Sequence, residues 1–481
     1  MFQKRPLRRT QLISPWGIGQ MINFPGDESL MVCGLDAWES TYQDAPDHYT
    51  EFIFHEERLE KRLHVSEFRF PPDYRESGIG VQNPHLKIPC VRFPQWHYCP
   101  KCGFMKKLSL YGSRCRCEGP NYPGLSCHST KPNKRSFLIP VRFIAICEKG
   151  HIEDFPFMEW VHKGGTCDND CQLRLQSGRS SSSLAGIKIT CTCGAYRTLA
   201  GAFNKDSLES ISKRCGGYRP WLGEIDDKAK SCGEPLRVVQ RGASNVYFSE
   251  IRSSIYLPRW EKTVHRKIIE VLDNNWDVLV RNRINGQLNR IVFETIADLK
   301  GVDCEELLAV AEKRLNETST DGSPIEDSEE LYRTSEYEAI IAELGGDNQD
   351  FFVTNKKSIE YGDIVQRFFK SISLIHKLRE TRALVGFSRW RPEDGRSLQA
   401  KRADLALSNS IRWLPAIIVR GEGLFFEFRT DKLDEWLENA DTLKRAEKQI
   451  ENFNNARIRR GQTIRRLNPR FILIHSHYAL I

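Results

Sequence analysis

Cysteine is the residue type whose spacing in this sequence most clearly indicates chemistry. Twelve of the fifteen cysteines fall between His97 and Cys232, many in close pairs such as Cys99-Pro-Lys-Cys102. Two ligands from one tight turn, at C-x-C or C-x2-C spacing, can bind a metal ion without strain. A redox role for Cys99 and Cys102 is less well supported, because further cysteines follow where a thioredoxin-type motif needs a helix. This stretch is therefore predicted to bind zinc.

Three groups of ligands are predicted. The first combines Cys99 and Cys102 with two of the three candidates Cys115, Cys117 and Cys127. A second four-thiol set consists of Cys191, Cys193, Cys215 and Cys232. A middle set is less well defined and consists of Cys147, His151, Cys167 and Cys171, with His162 as a competing ligand. Two zinc ions are expected from the outer sets and a third if the middle set binds. In the alternative, His151 is a hydrogen-bonded core or turn histidine and one thiol is free.

These sites are expected to be structural, and the protein is predicted not to be an enzyme. His151-Ile-Glu153 imitates the H-x-E segment of zinc deaminases, but the P-C-x-x-C segment of those enzymes does not follow it. No G-x-x-x-x-G-K-[ST] phosphate loop occurs either. A zinc hydrolase or deaminase with an open metal position near Glu153 is the weaker alternative.

The elements that must position these ligands are predicted to form an α+β, multidomain chain. Residues 1–96 are a small α/β region, and residues 97–240 are the zinc-stabilised block of small strands. Residues 241–360 are helical around a polar loop near 316–328, and residues 361–481 combine α/β structure with basic helices. In this helix-rich C-terminal half, apolar spacing predicts helices over Glu261–Leu279, Glu329–Leu344, Phe368–Leu384 and Thr430–Phe453, and a strand hairpin over Ile417–Phe428.

Positive charge is concentrated near the C-terminus. The formal net charge of +8 says little alone, but residues 442–470 hold nine Lys and Arg against two Glu. Basic side chains neutralise nucleic-acid phosphates, and an aromatic ring such as Trp390 can stack on a base. The predicted DNA contacts are Arg379, Arg382, Arg389, Arg457, Arg459, Arg460, Arg465 and Arg466. In the alternative, Arg379 and Arg382 pair with local acids and Trp390 belongs to the core.

The sequence shows no signal for export or membrane insertion. The N-terminal MFQKRPLRRTQL lacks the apolar segment and the cleavage site of a secretory signal. No run of about 18 apolar residues occurs. We therefore expect a cytoplasmic protein without a membrane partner, in which reduced thiols bind metal.

Several segments occur in the order found in one known family. They are SPWGIGQMI (14–22), GLDAW (34–38), His97-x-Cys99-x2-Cys102, CEKGHIEDF (147–155), WVH (160–162), CGGYRPW (215–221), RGASNVYF (241–248), LRETRALVGF (378–387) and LPA-x3-RGEG (414–423). Together they span nearly the whole chain. On these motifs the chain resembles the DrmB-type subunit of DISARM anti-phage defence systems.

The resemblance implies partners and a role. Such a subunit pairs with a DrmA-type superfamily 2 helicase, and the pair engages DNA with a single-stranded 5′ end. A protein–protein scaffold that docks the helicase without touching DNA is the alternative. The family usually carries a further cysteine cluster beyond the segment that follows Arg470, so a truncated or split form is expected, with the rest on a separate polypeptide.

Overall fold

The chain divides into two compact units. The computed structural model describes residues 7–43, 49–76, 78–79, 81–119, 127–167, 171–177, 184–223, 232–258, 288–308, 329–343, 348–357, 360–392, 396–459 and 464–478, with positions 271, 272, 275, 279, 282 and 311. The first unit comprises residues 1–254 and 381–418, and the second comprises residues 255–380 and 419–481. The predicted division into four regions stays a prediction.

The strands are short around the cysteines and long after residue 247. They are β1 Met21–Phe24, β2 Glu28–Val32, β3 Ile53–Phe54, β4 Glu67–Arg69, β5 Cys90–Arg92, β6 Trp96–Tyr98, β7 Met105–Lys107, β8 Ile139–Pro140, β9 Phe143–Ile146, β10 Ile152–Asp154, β11 Leu173–Ser177, β12 Ile187–Cys191, β13 Tyr196–Thr198, β14 Arg237–Gln240, β15 Phe248–Ile255, β16 Phe351–Lys357, β17 Phe369–Ser388 and β18 Trp413–Phe428.

Helices are more frequent in the second half of the chain. They are α1 Leu35–Gln43, α2 Glu57–Leu63, α3 Phe157–Val161, α4 Arg290–Lys300, α5 Glu329–Ile341, α6 Asp363–Phe368, α7 Leu398–Ala403, α8 Thr430–Glu438, α9 Ala440–Arg459 and α10 Pro469–Tyr478. The predicted α+β class, with a small-strand block in the middle and helices in the C-terminal part, is confirmed. Among the described residues, no helix is long and apolar enough to cross a membrane.

The first unit contains four small three-stranded sheets and part of a larger one. The small sheets have the strand orders β1-β2-β5, β7-β6-β8, β10-β9-β14 and β11-β12-β13. In the larger sheet, β18 pairs in parallel with β4, and β4 pairs antiparallel with β3. An apolar core around the small sheets holds Phe155, Trp160 and Val238 together with three of the cysteines, Cys147, Cys191 and Cys215. Metal ligands are therefore part of the core packing.

The second unit contains β16, which pairs antiparallel with the first half of β17. It also contains helices α4, α5, α6, α8, α9 and α10. Phe351 and Val353 of β16 pack with Ala339 and Ile340 of α5. This contact buries one face of β16 against the helix.

Three predictions for the C-terminal half are wrong. The segment Phe368–Leu384 lies largely in strand β17, because its residues from Ser371 to Leu378 pair antiparallel with β16, and such pairing cannot be read from apolar spacing. The predicted hairpin over Ile417–Phe428 is one strand, β18, with Glu422 exposed. The predicted helix Thr430–Phe453 is broken at the extended residue Asn439. The prediction over Glu261–Leu279 lies almost wholly outside the described residues.

Candidate metal centres

The first group of ligands is built around the turn that follows β6. The Sγ atoms of Cys99, Cys102, Cys117 and Cys127 all lie within 4.8 Å of one another and are buried. The distances are 3.8 Å from Cys99 to Cys127 and 3.6 Å from Cys102 to Cys117. A tetrahedral zinc with Zn–S bonds of about 2.3 Å holds its sulfurs about 3.8 Å apart. The four thiols therefore fit a zinc ion without rearrangement.

Gly103 is required to close this turn. Its φ of +77° lies in the left-handed region, and a Cβ placed there would come within 2.1 Å of the Leu175 carbonyl oxygen. The Gly103 N–H donates to the Cys99 carbonyl at 2.9 Å, which holds Cys99 and Cys102 on one side of the turn. Only glycine fits both the backbone angle and the space.

Of the three candidates for the second half of this group, Cys117 and Cys127 are the two brought to the turn. Cys115 is half-buried, and its thiol donates to the Ser113 carbonyl at 3.7 Å. Cys115 is thus outside the group that the structure assembles, although the sequence left it equal to Cys117.

The second group combines ligands that cysteine spacing predicts in different sets. Cys147 and His151 close the β9–β10 hairpin, with the Cys147 Sγ 3.4 Å from the His151 Nδ1. Cys215 and Cys232 complete this group, in which all donor atoms lie within 4.8 Å of one another. The predicted sets Cys191/Cys193/Cys215/Cys232 and Cys147/His151/Cys167/Cys171 are therefore wrong as groupings.

Sheet pairing is the physical reason for the exchange of partners. β14 pairs antiparallel with β9, which brings the segment before β14 to the β9–β10 hairpin. β11 pairs with β12 so that Leu173 is opposite Cys191, which brings Cys167 and Cys171 to the Cys191 turn instead. Neither pairing can be read from the spacing of cysteines.

The third group lies at the β12–β13 turn and offers more donors than a tetrahedral ion needs. His162, Cys167, Cys191 and Cys193 lie within 4.8 Å of one another. The His162 Nε2 is 3.3 Å from the Cys193 Sγ, and the thiols of Cys167 and Cys191 are 3.8 Å apart. Cys171 interacts with the Cys167 and Cys191 thiols as well, so five side chains compete for this centre. His162, which the sequence identified only as a competitor, is placed among the donors.

Local hydrogen bonds favour the deprotonated form of one cysteine in each of two groups. Hydrogen bonds from Cys215 and His151 lower the pKa of the Cys147 thiol to about 4, and the same contact with Cys147 raises the pKa of Cys215. The Cys147 and Cys215 thiols therefore favour the state in which Cys147 is deprotonated and Cys215 keeps its proton. At the third centre, the Ala195 N–H and then His162 lower the pKa of the Cys193 thiol to about 6. A bound cation favours loss of the remaining thiol protons.

Glu153 is held by the protein and is not free beside a metal centre. Its Oε1 accepts the Gly216 N–H at 3.0 Å, and its Oε2 lies 3.6 Å from the Lys213 Nζ. Burial raises the pKa of the Glu153 carboxyl. Because Gly216 follows Cys215, this carboxylate fixes the backbone beside a ligand of the second group.

The predicted DNA-binding arginines differ in burial and in their partners. Arg389 is 1% exposed and donates to three backbone carbonyls, so its prediction as a DNA contact is wrong. Arg379 pairs with Asp350 at 2.9 Å, which agrees with the alternative of local pairing. Arg382 is exposed in the first unit.

The C-terminal arginines are placed on or after α9. Arg457 lies 5.7 Å from the Phe453 ring centroid and is partly exposed. Arg459, Arg465 and Arg466 are exposed. Arg460 lies outside the described residues. These positions stay predictions for DNA contact.

Among the described residues, three cysteine-rich groups can therefore hold metal ions. Residues 8–248, which include the whole cysteine-rich stretch, match the family described as "Domain of unknown function (DUF8724)", and the chain belongs to that family. The chain is also similar to the protein described as "DISARM protein DrmB" of Bacillus paralicheniformis. The two are 29% identical over 448 residues, which cover 88% of this chain and 70% of the relative. This similarity confirms the predicted resemblance to DrmB-type subunits.

Proposed function

We propose that this chain is a zinc-containing, non-catalytic accessory subunit of a DISARM-type anti-phage defence system. In this proposal it pairs with a superfamily 2 helicase and helps that helicase to bind DNA with a single-stranded region. The observation that carries the proposal is the similarity to the DISARM protein DrmB over 88% of this chain.

Zinc is the metal that the donor sets favour. The first group offers four thiols, and the second and third groups each offer three thiols and one imidazole. Soft thiolate ligands in a tetrahedron select zinc over magnesium or calcium. Each group offers four or more protein donors, as structural zinc sites do, whereas a catalytic zinc keeps a position for water. The three ions then stabilise a block that has only short strands.

The basic segment after α9 is the best candidate for phosphate contact. Arg459, Arg465 and Arg466 are exposed, and the Asn454 side chain holds the backbone of Arg465 with two hydrogen bonds of 3.0 and 3.2 Å. This clamp fixes the backbone of Arg465 beside α9. A fixed backbone reduces the conformational freedom that is lost when the residue binds phosphate.

The salt dependence of DNA binding tests this contact. We expect the metal-loaded chain to bind a duplex with a 5′ single-stranded overhang in a filter-binding assay, with an affinity that falls steeply with salt. Replacing Arg459, Arg465 and Arg466 by Ala should reduce the slope of log affinity against log salt by about 2 to 3, since each lost phosphate contact removes about 0.7 to 0.9.

Three exposed lysines of the first unit provide the matched control. Lys101→Ala, Lys131→Ala and Lys134→Ala together remove the same charge and should leave the slope nearly unchanged. Co-purification with a DrmA-type superfamily 2 helicase tests the pairing. A chain that binds the helicase but no DNA would favour the scaffold alternative, and one that binds neither would overturn the proposal.

A further inference from the structure

The first unit contains a cavity of about 420 Å³ between the ends of α1 and α2, helix α7 and the start of β18. Its polar lining comes from two arginines, Arg402 and Arg412, and from His64, Gln399, Ser408 and Asn409. Among the described residues that line it there is neither Asp nor Glu. Cavities of this size commonly bind small molecules through a few convergent polar groups on apolar walls.

Arg402 is the residue that makes this cavity unusual. Its Nη1 donates to the His64 carbonyl at 3.3 Å. Its Nη2 is buried and has no hydrogen-bond partner among the described residues. A buried guanidinium N–H without an acceptor costs about 1 to 3 kcal/mol or more, so such groups are nearly always satisfied.

The electrostatics around Arg402 are those of an anion site. Burial and the neighbouring positive charge of Arg412 lower the pKa of the Arg402 guanidinium. The acids closest in sequence to the cavity wall already have partners: Asp36 accepts the N–H groups of Leu407 and Ser408, and Asp404 pairs with Arg396. Two like charges that converge without a carboxylate between them are stabilised by an anionic ligand.

We infer that this cavity binds the phosphoryl group of a nucleotide through Arg402 and Arg412. The planar fork of arginine matches the oxygens of a phosphate in bidentate geometry. Gln399, Ser408 and Asn409 add hydrogen-bonding groups, and apolar side chains such as Leu35, Leu398 and Ile411 provide walls for a nucleoside. The phosphoryl group can come from a free nucleotide or from the end of a DNA strand. The inference does not depend on the arginines after α9, which belong to the second unit.

Calorimetric titration of the metal-loaded full chain tests the site. The probes are inorganic phosphate, dAMP and deoxyadenosine, and fluorescence anisotropy adds a short oligonucleotide with a 5′-phosphate or a 5′-hydroxyl. We expect dAMP to bind and deoxyadenosine, which lacks the phosphate, to bind at least about tenfold more weakly. Arg402→Gln and Arg412→Gln should each weaken dAMP binding by about tenfold or more.

Arg252→Gln is the control, because Arg252 is a half-buried arginine of the same unit that does not line the cavity. Arg412 is exposed, so its variant keeps the test valid if Arg402→Gln does not fold. Tighter binding of the 5′-phosphorylated oligonucleotide than of the 5′-hydroxyl one, with the difference lost in Arg402→Gln, identifies a strand end as the source. Equal binding of the two oligonucleotides, with binding of dAMP that depends on Arg402, identifies a free nucleotide. Equal binding of dAMP and deoxyadenosine, no binding of any phosphorylated probe, or unchanged binding by both variants would overturn the inference. Loss of DNA binding on substitution of Arg459, Arg465 and Arg466, with dAMP binding retained, would overturn neither the cavity nor its arginines as the nucleotide site.

Discussion

At the scale of single residues, Cys115 and Cys117 show how finely ligand choice is set. One residue separates them, yet only Cys117 joins the buried thiols of Cys99, Cys102 and Cys127. The two thiols have different surroundings: the Cys117 thiol is buried 3.6 Å from that of Cys102, whereas the half-buried Cys115 thiol donates to the Ser113 carbonyl.

This difference predicts the metal content of two variants. Cys117→Ser should lower the zinc content measured by elemental analysis by one ion per chain, because a hydroxyl replaces a thiolate in a tetrahedral set. Cys115→Ser should retain the zinc content of the unmodified protein. An equal loss of zinc in both variants would contradict the ligand set described above.

Arg389 is the buried charge on which the first unit depends. Its guanidinium donates to the carbonyls of Gly150 at 2.8 Å, Val246 at 2.9 Å and Gly19 at 2.7 Å. Burial lowers its pKa to about 10, so it is still protonated at neutral pH. Since Gly150 lies between Cys147 and His151, this side chain connects the second metal centre to strand β17.

We therefore expect Arg389→Met to lower the free energy of unfolding by about 3 kcal/mol or more, because three buried carbonyls lose their donor. Urea denaturation of the metal-loaded chain measures this change. Arg391→Met is the control, since Arg391 is exposed and 3.6 Å from Glu148, and it should change stability by less than about 0.5 kcal/mol. A change below about 1 kcal/mol for Arg389→Met would remove the role assigned to these bonds.

Asp154 gives the first unit a pH dependence. Burial raises the pKa of its carboxyl to about 6, although the N–H groups of Gln95 and Trp96 donate to it. The folded state then holds a proton that the unfolded state releases, so stability falls as pH rises through about 6. Relative to Asp154→Asn, the free energy of unfolding of the unmodified chain should fall by about 1 kcal/mol between about pH 5.5 and pH 8. A difference in unfolding free energy that stays constant over this range would contradict the raised pKa.

At the scale of elements, Asn439 separates two helices that the sequence predicted as one. Its Oδ1 accepts the N–H groups of Asp441 and Thr442 at 3.0 and 3.1 Å, which caps α9. Apolar spacing continues across the break, because Leu433, Trp436, Leu437 and Leu443 keep a helical period. Asparagine is the only local signal of the break, since its side chain competes with the backbone for hydrogen bonds.

Removal of this cap should weaken α9. Asn439→Ala is expected to cost about 1 kcal/mol, because two N–H groups of the first turn lose their acceptor. Asn439→Asp keeps an oxygen acceptor and should retain the stability of the unmodified chain. Circular dichroism at increasing urea concentration measures both variants, and equal midpoints for Ala and Asp would rule out the cap.

Some features of the candidate sites could be predicted from the sequence and others could not. The cysteine-rich stretch, the turn at Cys99 and Cys102 and the candidate status of His162 follow from residue type and spacing. The partners of Cys191 and Cys215 do not, because they depend on β14 pairing with β9 and on β11 pairing with β12. Arg389 was misassigned because a basic residue beside Trp390 gives no local sign of burial.

At the scale of the whole molecule, metal and helix content are segregated along the chain. All ligands of the three centres belong to the first unit, whereas helices α5, α8 and α9 belong to the second unit and contain no cysteine or histidine. Cys147, Cys191 and Cys215 of the second and third centres are part of the first unit's apolar core, and Cys167 and Cys232 pack against it. Loss of metal leaves charged or unpaired sulfur there, which disfavours packing.

A chelator should therefore act unequally on two spectroscopic signals. We expect the near-ultraviolet circular dichroism of aromatic residues around the centres, including Trp96 and Trp160, to be mostly lost on metal removal. The helical signal at about 222 nm should be mostly retained, because isolated secondary structure outlasts specific packing. Adding zinc back should restore the near-ultraviolet signal, and magnesium should not. Parallel loss of both signals would show that the metals hold the entire chain together.

The ligands of the third centre are nested in sequence within those of the second. Residues 162–193 lie inside the span from Cys147 to Cys232. Ring closure is less costly in entropy for the shorter segment, and closing the inner centre shortens the segment that the outer centre must still close. During synthesis on the ribosome, Cys193 also emerges before Cys215 and Cys232. The inner centre can thus take up its ion on a chain that does not yet contain the outer one, which favours metal loading from the inner centre outward.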